Sequence, residues 1–170
     1  MDPERRKEFI EFVEKQEKDR LVFVDETGID RYLYRRNCRA PKGKHVYEAV
    51  PGRKFERCSI VAGKCGKEII APFGYTGTCN SELFLMWIQK ILIPNLKKNQ
   101  IVIMDNASIH KSPKIREIIE NAGCSLVYQP PYSPDLNPIE HTWAHIKNKI
   151  GSLNIKFESL FDAIQYVLTN

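Results

Sequence analysis

The sequence predicts an α/β fold, a mixed five-stranded sheet flanked by helices. Two observations carry this. Leu21, Val22, Phe23 and Val24 run into Asp25, and Ile101, Val102, Ile103 and Met104 run into Asp105. Four apolar residues without alternation suit strands covered on both faces, as in parallel pairs inside such a sheet. The second observation is order: three strand-like runs come first, and helical and strand-like segments then alternate.

Taken in order, Asp2 and Pro3 can open an N-terminal helix reaching about Lys18, with Phe9, Phe12 and Val13 as a weak apolar face. A linker helix is its expected role. The first strand ends at Asp25. Strands at 58–62 and 68–73 read as a meander punctuated by Gly63 and Gly66. A helix follows over 81–93, then the second acidic strand, a helix opened by Ser112 and Pro113, and a short strand at 125–128. Prolines 130, 131 and 134 keep the next segment extended. Asn137 is a good N-cap, and Pro138 suits the first helical position, where its missing N–H costs nothing. A last amphipathic helix carries Phe157, Leu160, Phe161, Ile164 and Leu168 on one face. The expected organisation is a linker helix at 1–20, a core at 21–150 and a C-terminal helix at 151–170.

At 170 residues, 42% apolar and 28% charged, the chain can bury one sizeable core. It has no secretory or membrane-spanning stretch, so a cytoplasmic, nucleoid-associated protein is expected, assuming a prokaryotic source. Five cysteines without a CxxC pair indicate neither a disulfide framework nor a zinc knuckle. We see no internal repeat and no low-complexity tract.

Sites of such sheets lie at the carboxyl ends of strands. Neighbouring strands are roughly 4.8 Å apart, so adjacent strands would set Asp25 and Asp105 side by side. Carboxylates that close repel unless a cation sits between them. Glu140 falls in the first turn of its helix, beside the stripe Ile139, Trp143, Ile146 and Ile150, and can bring a third acid to the pair. Each acid has a structural alternative: Asp25 and Asp105 as strand-end turn residues, Glu140 as a capping-box acid. Together they suit phosphoryl transfer on DNA with two divalent ions, Mg²⁺ or Mn²⁺, Asp25 bridging both while Asp105 and Glu140 hold one each.

Asp25 in VDETG, Asp105 in MDNASIH and Glu140 in PPYSPDLNPIEHTW, with 34 residues between the last two, resemble the DDE transposases of the mariner superfamily, especially their bacterial insertion-sequence branch. The resemblance covers about Leu21 to Ile150. It implies the ribonuclease H-like fold, whose β-β-β-α-β-α-β-α order this is, with the first and fourth strands adjacent and parallel. It also implies cleavage at the ends of a mobile element and attack of the exposed 3′-hydroxyl on target DNA, at TA dinucleotides by analogy. Family members work as dimers and carry helix-turn-helix domains before the core. Only about 20 residues precede the first strand here, so recognition of the ends is expected from a separate protein or domain. A catalytically inactive DNA-binding remnant, or a ribonuclease H-like nuclease without strand transfer, are the alternatives.

Between Arg31 and Arg57 stand nine Lys or Arg against two acids, interleaved with Tyr32, Tyr34, Tyr47 and Phe55. That pattern suits DNA contact, with Arg35, Arg36, Arg39, Lys42, Lys44, Arg53 and Lys54 as candidates; a solvated loop is the alternative. Lys147 and Lys149 are candidates for backbone phosphates. Asn106 could orient a water or a phosphate, and His110 matches the family's DNxxxH histidine; as alternatives they are turn and cap residues. Glu26 is expected on the opposite strand face, Asp30 in a loop, Asp135 in an Asx-type turn and Trp143 in the core. His141 and His145 are spaced like zinc ligands but lack a third, which favours a surface role.

Overall fold

Five strands form one sheet in the order β3-β2-β1-β4-β5, where β1 is Leu21–Asp30, β2 Arg57–Cys65, β3 Glu68–Thr76, β4 Ile101–Met104 and β5 Ser125–Tyr128. The computed structural model describes residues 2–30, 57–153 and 159–169. β1 pairs antiparallel with β2 and parallel with β4, and β4 pairs parallel with β5. The mixed sheet and the adjacent, parallel first and fourth strands match expectation.

Side-chain alternation along β1 sends its residues to two different cores. Val22 and Val24 join Val102, Met104 and Leu126 under α2 (Ser81–Trp87) and α3 (Pro113–Asn121), whose Phe84, Trp87, Ile115 and Ile119 are buried there. Leu21 and Phe23 face the other way, with Ile101, Ile103 and Phe9 of α1 (Pro3–Glu14). Farther along that second face, Ile29, Ile60 and Ala62 pack on Ile139, Trp143, Ile146 and Ile150 of α4 (Ile139–Leu153) and on α5 (Leu160–Thr169). The helical stripe read around Glu140 is thus buried against the sheet.

Several expectations are corrected. β1 does not stop at Asp25 but continues to Asp30, because β2 still offers a partner there, Asp30 opposite Arg57, after β4 has ended. Asp30 is therefore a strand residue, and Arg57 Nε lies 4.0 Å from its carboxylate. Gly63 lies inside β2, at a register shift, where an added Cβ would come within 3.0 Å of Ile70 and 3.1 Å of Val22. Only Gly66, at φ +55°, makes the turn. The helix expected over 81–93 is present but runs through a π-helical stretch at Ile88–Leu92 into a last turn, Ile93–Asn95. Pro94 cannot donate to the carbonyl four residues back, and the wider turn accommodates it. α5 buries Leu160, Ala163, Ile164 and Val167 and leaves Phe161 half-exposed over Gly74, so its inner face is rotated from the one read in the sequence. Phe157 lies outside the described residues.

Candidate active site

Where β4 stops, β1 carries on past it, and the step between them opens a cleft of about 460 Å³. Asp25, Asp105 and Glu140 all line it, with Asn106, Lys111, Gln129, Tyr132 and Asn137. Three acids far apart in sequence are brought to one rim by two parallel strands and a helix start. Glu140 is set by its cap: Ile139 N–H donates to Asn137 Oδ1 at 3.3 Å, and Glu140 N–H to the Asn137 carbonyl at 3.2 Å.

Asp25 follows Leu21 and Phe23 onto the α4 face, where the Trp143 indole N–H donates to its Oδ2 at 3.1 Å. Trp143 is in the core, as expected, at 1% exposure, but its polar edge serves the acid. Burial first, and then the field of Glu140, push the Asp25 carboxyl up to about 7; the Glu26 backbone N–H and, less strongly, the Trp143 hydrogen bond oppose them.

Asp105 is held differently. Its Oδ1 accepts from His110 Nδ1 at 2.6 Å and from Ala107 N–H at 2.9 Å. The His110 hydrogen bond, outweighing burial, holds this carboxyl below the usual range. His110 is 1% exposed against the Phe84 ring, and its Nε2 reaches Glu26 Oε1 at 3.1 Å. Burial pulls the imidazole pKa down, but the hydrogen bonds to Asp105 and Glu26 prevail and raise it to about 9. Glu26 does point to the opposite face from Asp25, as expected, yet it is tied to the site through His110. Alternation alone could not reveal that, because the link passes through a residue 84 positions away.

Asn106 donates from Nδ2 to the Gln129 carbonyl while lining the cleft. Asp135, rather than closing an Asx turn, takes Arg6 of α1 at 2.6 Å and 3.1 Å, and Arg6 also donates to Ser133 Oγ at 2.7 Å. His141 and His145 are exposed, and Lys147 is half-buried on α4 away from the cleft. Arg35, Arg36, Arg39, Lys42, Lys44, Arg53 and Lys54 lie outside the described residues.

The donors present are hard carboxylate oxygens, and burial and the field of Glu140, which together lift Asp25, both disfavour its anion in a way a divalent cation would offset, so the chemistry of the set fits such an ion. Its geometry is open: among the described residues no group of three or more His, Cys, Asp or Glu is gathered closely enough to hold a metal. The cleft collects the acids without closing them into a cage. No described helix is long and apolar enough to cross a membrane.

Residues 20–162 match the family described as DDE superfamily endonuclease. Over 68 residues the chain is 37% identical to the transposable element Tcb2 transposase of Caenorhabditis briggsae, covering 37% of this chain and 25% of that protein. In structure it is similar to the Mos1 strand transfer complex, with a TM-score of 0.78 at 23% identity over 98% of this chain and 52% of that one. The Mos1 mariner paired end complex with Mn gives a TM-score of 0.66 at 18% identity, over 99% and 61%. The chain thus spans about a quarter of the curated relative and about half of the first solved structure. These likenesses carry the ribonuclease H-like fold.

Proposed function

The chain belongs to the DDE superfamily endonucleases, and from that premise we propose that it is the catalytic part of a transposase that cleaves DNA and joins the freed 3′ end to a target. The observation that carries this reading is the convergence of Asp25, Asp105 and Glu140 on one cleft at the end of a parallel strand pair. Residues 21–150 form the catalytic core in this reading, with α1 and α5 as its terminal additions. Asp25 would lie between two divalent ions, with Asp105 and Glu140 holding one each; Mg²⁺ or Mn²⁺ suits oxygen ligands. Bound there, the ions would supply the Lewis acidity that activates a water or 3′-hydroxyl and steadies the leaving oxygen.

The chain's own residues do the positioning. Trp143 orients Asp25, His110 and Ala107 N–H orient Asp105, and the Asn137 cap places Glu140. The His110–Glu26 contact fixes the imidazole that steers Asp105, in the way hydrogen bonds behind a ligand usually tune it. DNA at transposon ends and targets, a second copy of the chain and a separate end-recognition module are the partners in this reading, and the basic segment around Arg35–Lys54 and Lys147 its DNA contacts. The PPYSPDLNPIEHTW segment and the 34-residue gap support a place in the bacterial insertion-sequence branch, hence a cytoplasmic, nucleoid-associated protein.

Calorimetric titration of Mn²⁺ into the chain, followed by nicking and strand-transfer assays on branched DNA, tests the proposal. Wild type should bind the ion and process DNA, whereas Asp25→Asn, Asp105→Asn and Glu140→Gln should each lose activity by on the order of 10³-fold or more while remaining folded. A folded Asp105→Asn variant with full activity would sink the reading.

A further inference from the structure

Residues 130–138 wall the cleft and lead straight into Glu140, yet little in their own backbone can hold them. The segment joins no strand of the sheet, and Pro130, Pro131, Pro134 and Pro138 have no N–H to donate. Tyr132, inside it, takes φ +56°, a conformation that costs a residue with a side chain and lasts only where the surroundings enforce it.

Among the described residues, the hydrogen bonds that tie this segment to distant parts of the chain all come from one side chain, Arg6 of α1. Its Nη1 donates to Ser133 Oγ at 2.7 Å and to Asp135 Oδ1 at 3.1 Å, and its Nη2 to Asp135 Oδ2 at 2.6 Å. A solvated ion pair contributes little by itself. This one differs in two respects. Although Asp135 is largely exposed, the guanidinium is only 21% exposed and spans both carboxylate oxygens, the fork geometry that makes such pairs strong. Ser133 is 4% exposed, so loss of Arg6 would leave a buried hydroxyl without that donor.

α1 is itself firmly seated. Asp2 Oδ1 caps it by accepting from Glu4 N–H at 3.1 Å, and Phe9, one turn past Arg6, is buried with Leu21 and Phe23. Leu136, from the clasped segment, packs against the same cluster. From there hydrogen bonds run on toward the acid. Leu136 N–H donates to the Ser133 carbonyl at 3.1 Å and Asn137 N–H to the Pro134 carbonyl at 2.9 Å, and the Asn137 cap then places Glu140.

We propose that Arg6 is a positioning residue for Glu140. By clasping Ser133 and Asp135 it fixes the proline-rich wall on α1, and through Leu136 and Asn137 it fixes the start of α4 that carries the third acid. The inference rests on the catalytic reading and deepens it, because it makes α1 a part of the site rather than a terminal addition. Arg6 touches neither ion nor DNA in this role; it decides where a carboxylate stands before either arrives.

Amide hydrogen exchange on the whole chain tests the clasp without any ion. Arg6→Ala should speed exchange at Leu136, Asn137 and Glu140 by about 10-fold while leaving Gln129, whose N–H is bonded to Met104, unchanged. Asp135→Asn should act in the same direction, and Arg5→Ala, at a residue that pairs with Asp2 beside it, should do nothing. Mn²⁺-dependent nicking then reads the acid. Arg6→Ala should need about 10-fold more Mn²⁺ for its half-maximal rate, and excess Mn²⁺ should bring that rate back to the wild-type value. Arg6→Lys keeps the charge but not the planar fork and should recover only part of the loss. Unchanged exchange at Leu136, Asn137 and Glu140 in Arg6→Ala overturns the proposal. So does a nicking rate that falls equally at every Mn²⁺ concentration, the sign of general damage to the fold. A wild type that neither binds Mn²⁺ nor nicks, but whose exchange depends on Arg6, keeps the clasp and removes the catalytic reading; nicking whose Mn²⁺ dependence is the same in Arg6→Ala removes the clasp and leaves that reading.

Discussion

Asp25, within β1, and Asp105, just past the end of β4, stand at one rim, and the fold treats them in opposite ways. Asp25 faces α4, in a core where one indole N–H is its side-chain donor, and its carboxyl is pushed up to about 7. Asp105 faces a turn that supplies an imidazole and a backbone N–H to one oxygen, and its carboxyl is pulled down. The difference teaches that the two acids are not interchangeable. Asp105 is ready as an anion before any ion arrives, whereas Asp25 becomes comfortable as an anion only when positive charge is brought to it.

The sharpest break is on the Asp25 side. Trp143→Ala opens the core that α4 shares with the sheet and should cost about 3–5 kcal/mol, a large part of a domain's stability, read by chemical denaturation. Trp143→Phe keeps most of the packing and removes the N–H, so it should cost much less in stability while still lowering activity.

On the Asp105 side, His110→Gln should weaken Mn²⁺ binding or turnover by roughly 10- to 100-fold. Glu26→Gln, one step farther out, should do the same more weakly. Calorimetry and nicking rates check both, and an unchanged metal affinity in His110→Gln would reduce His110 to a packing residue.

A smaller effect separates the acids by pH. Asp25 has a folded pKa above its unfolded value of 3.8, so burial of its anion is a penalty that grows as pH rises from about 4 to about 7 and is complete above that. In chelator at pH 8, Asp25→Asn should therefore melt above wild type by roughly 5 °C, and the gap should close toward pH 4. Asp105, whose pKa is lowered, has the opposite sign, so Asp105→Asn should melt below wild type at pH 8. A common response of both variants would erase the contrast.

Much of this was legible in the chain. The apolar runs before Asp25 and Asp105, the proline-rich lead to Asn137 and Pro138 and the stripe after Ile139 specify strands and a helix start through local sterics and periodicity, and these elements form where the sequence placed them, except that β1 runs on past Asp25 to Asp30. The inner face of α5 is not legible in the sequence because Ala163 and Val167 are weaker hydrophobic signals than Phe161, whose ring lies half-exposed against Gly74. Asp135 looked like a local turn former, but Arg6, 129 residues away, offered a charged partner that its own neighbours could not.

By itself, then, the sequence determined the strand and helix order, the three acids and the chemistry they suit, because those depend on residue type and spacing along the chain. Only the tertiary structure decided that Asp25 lies mid-strand at the step left by β4 and that Trp143 and His110 each serve a different acid. Those properties arise from which distant groups meet and how much water is excluded when they do, and neither is encoded in any local stretch.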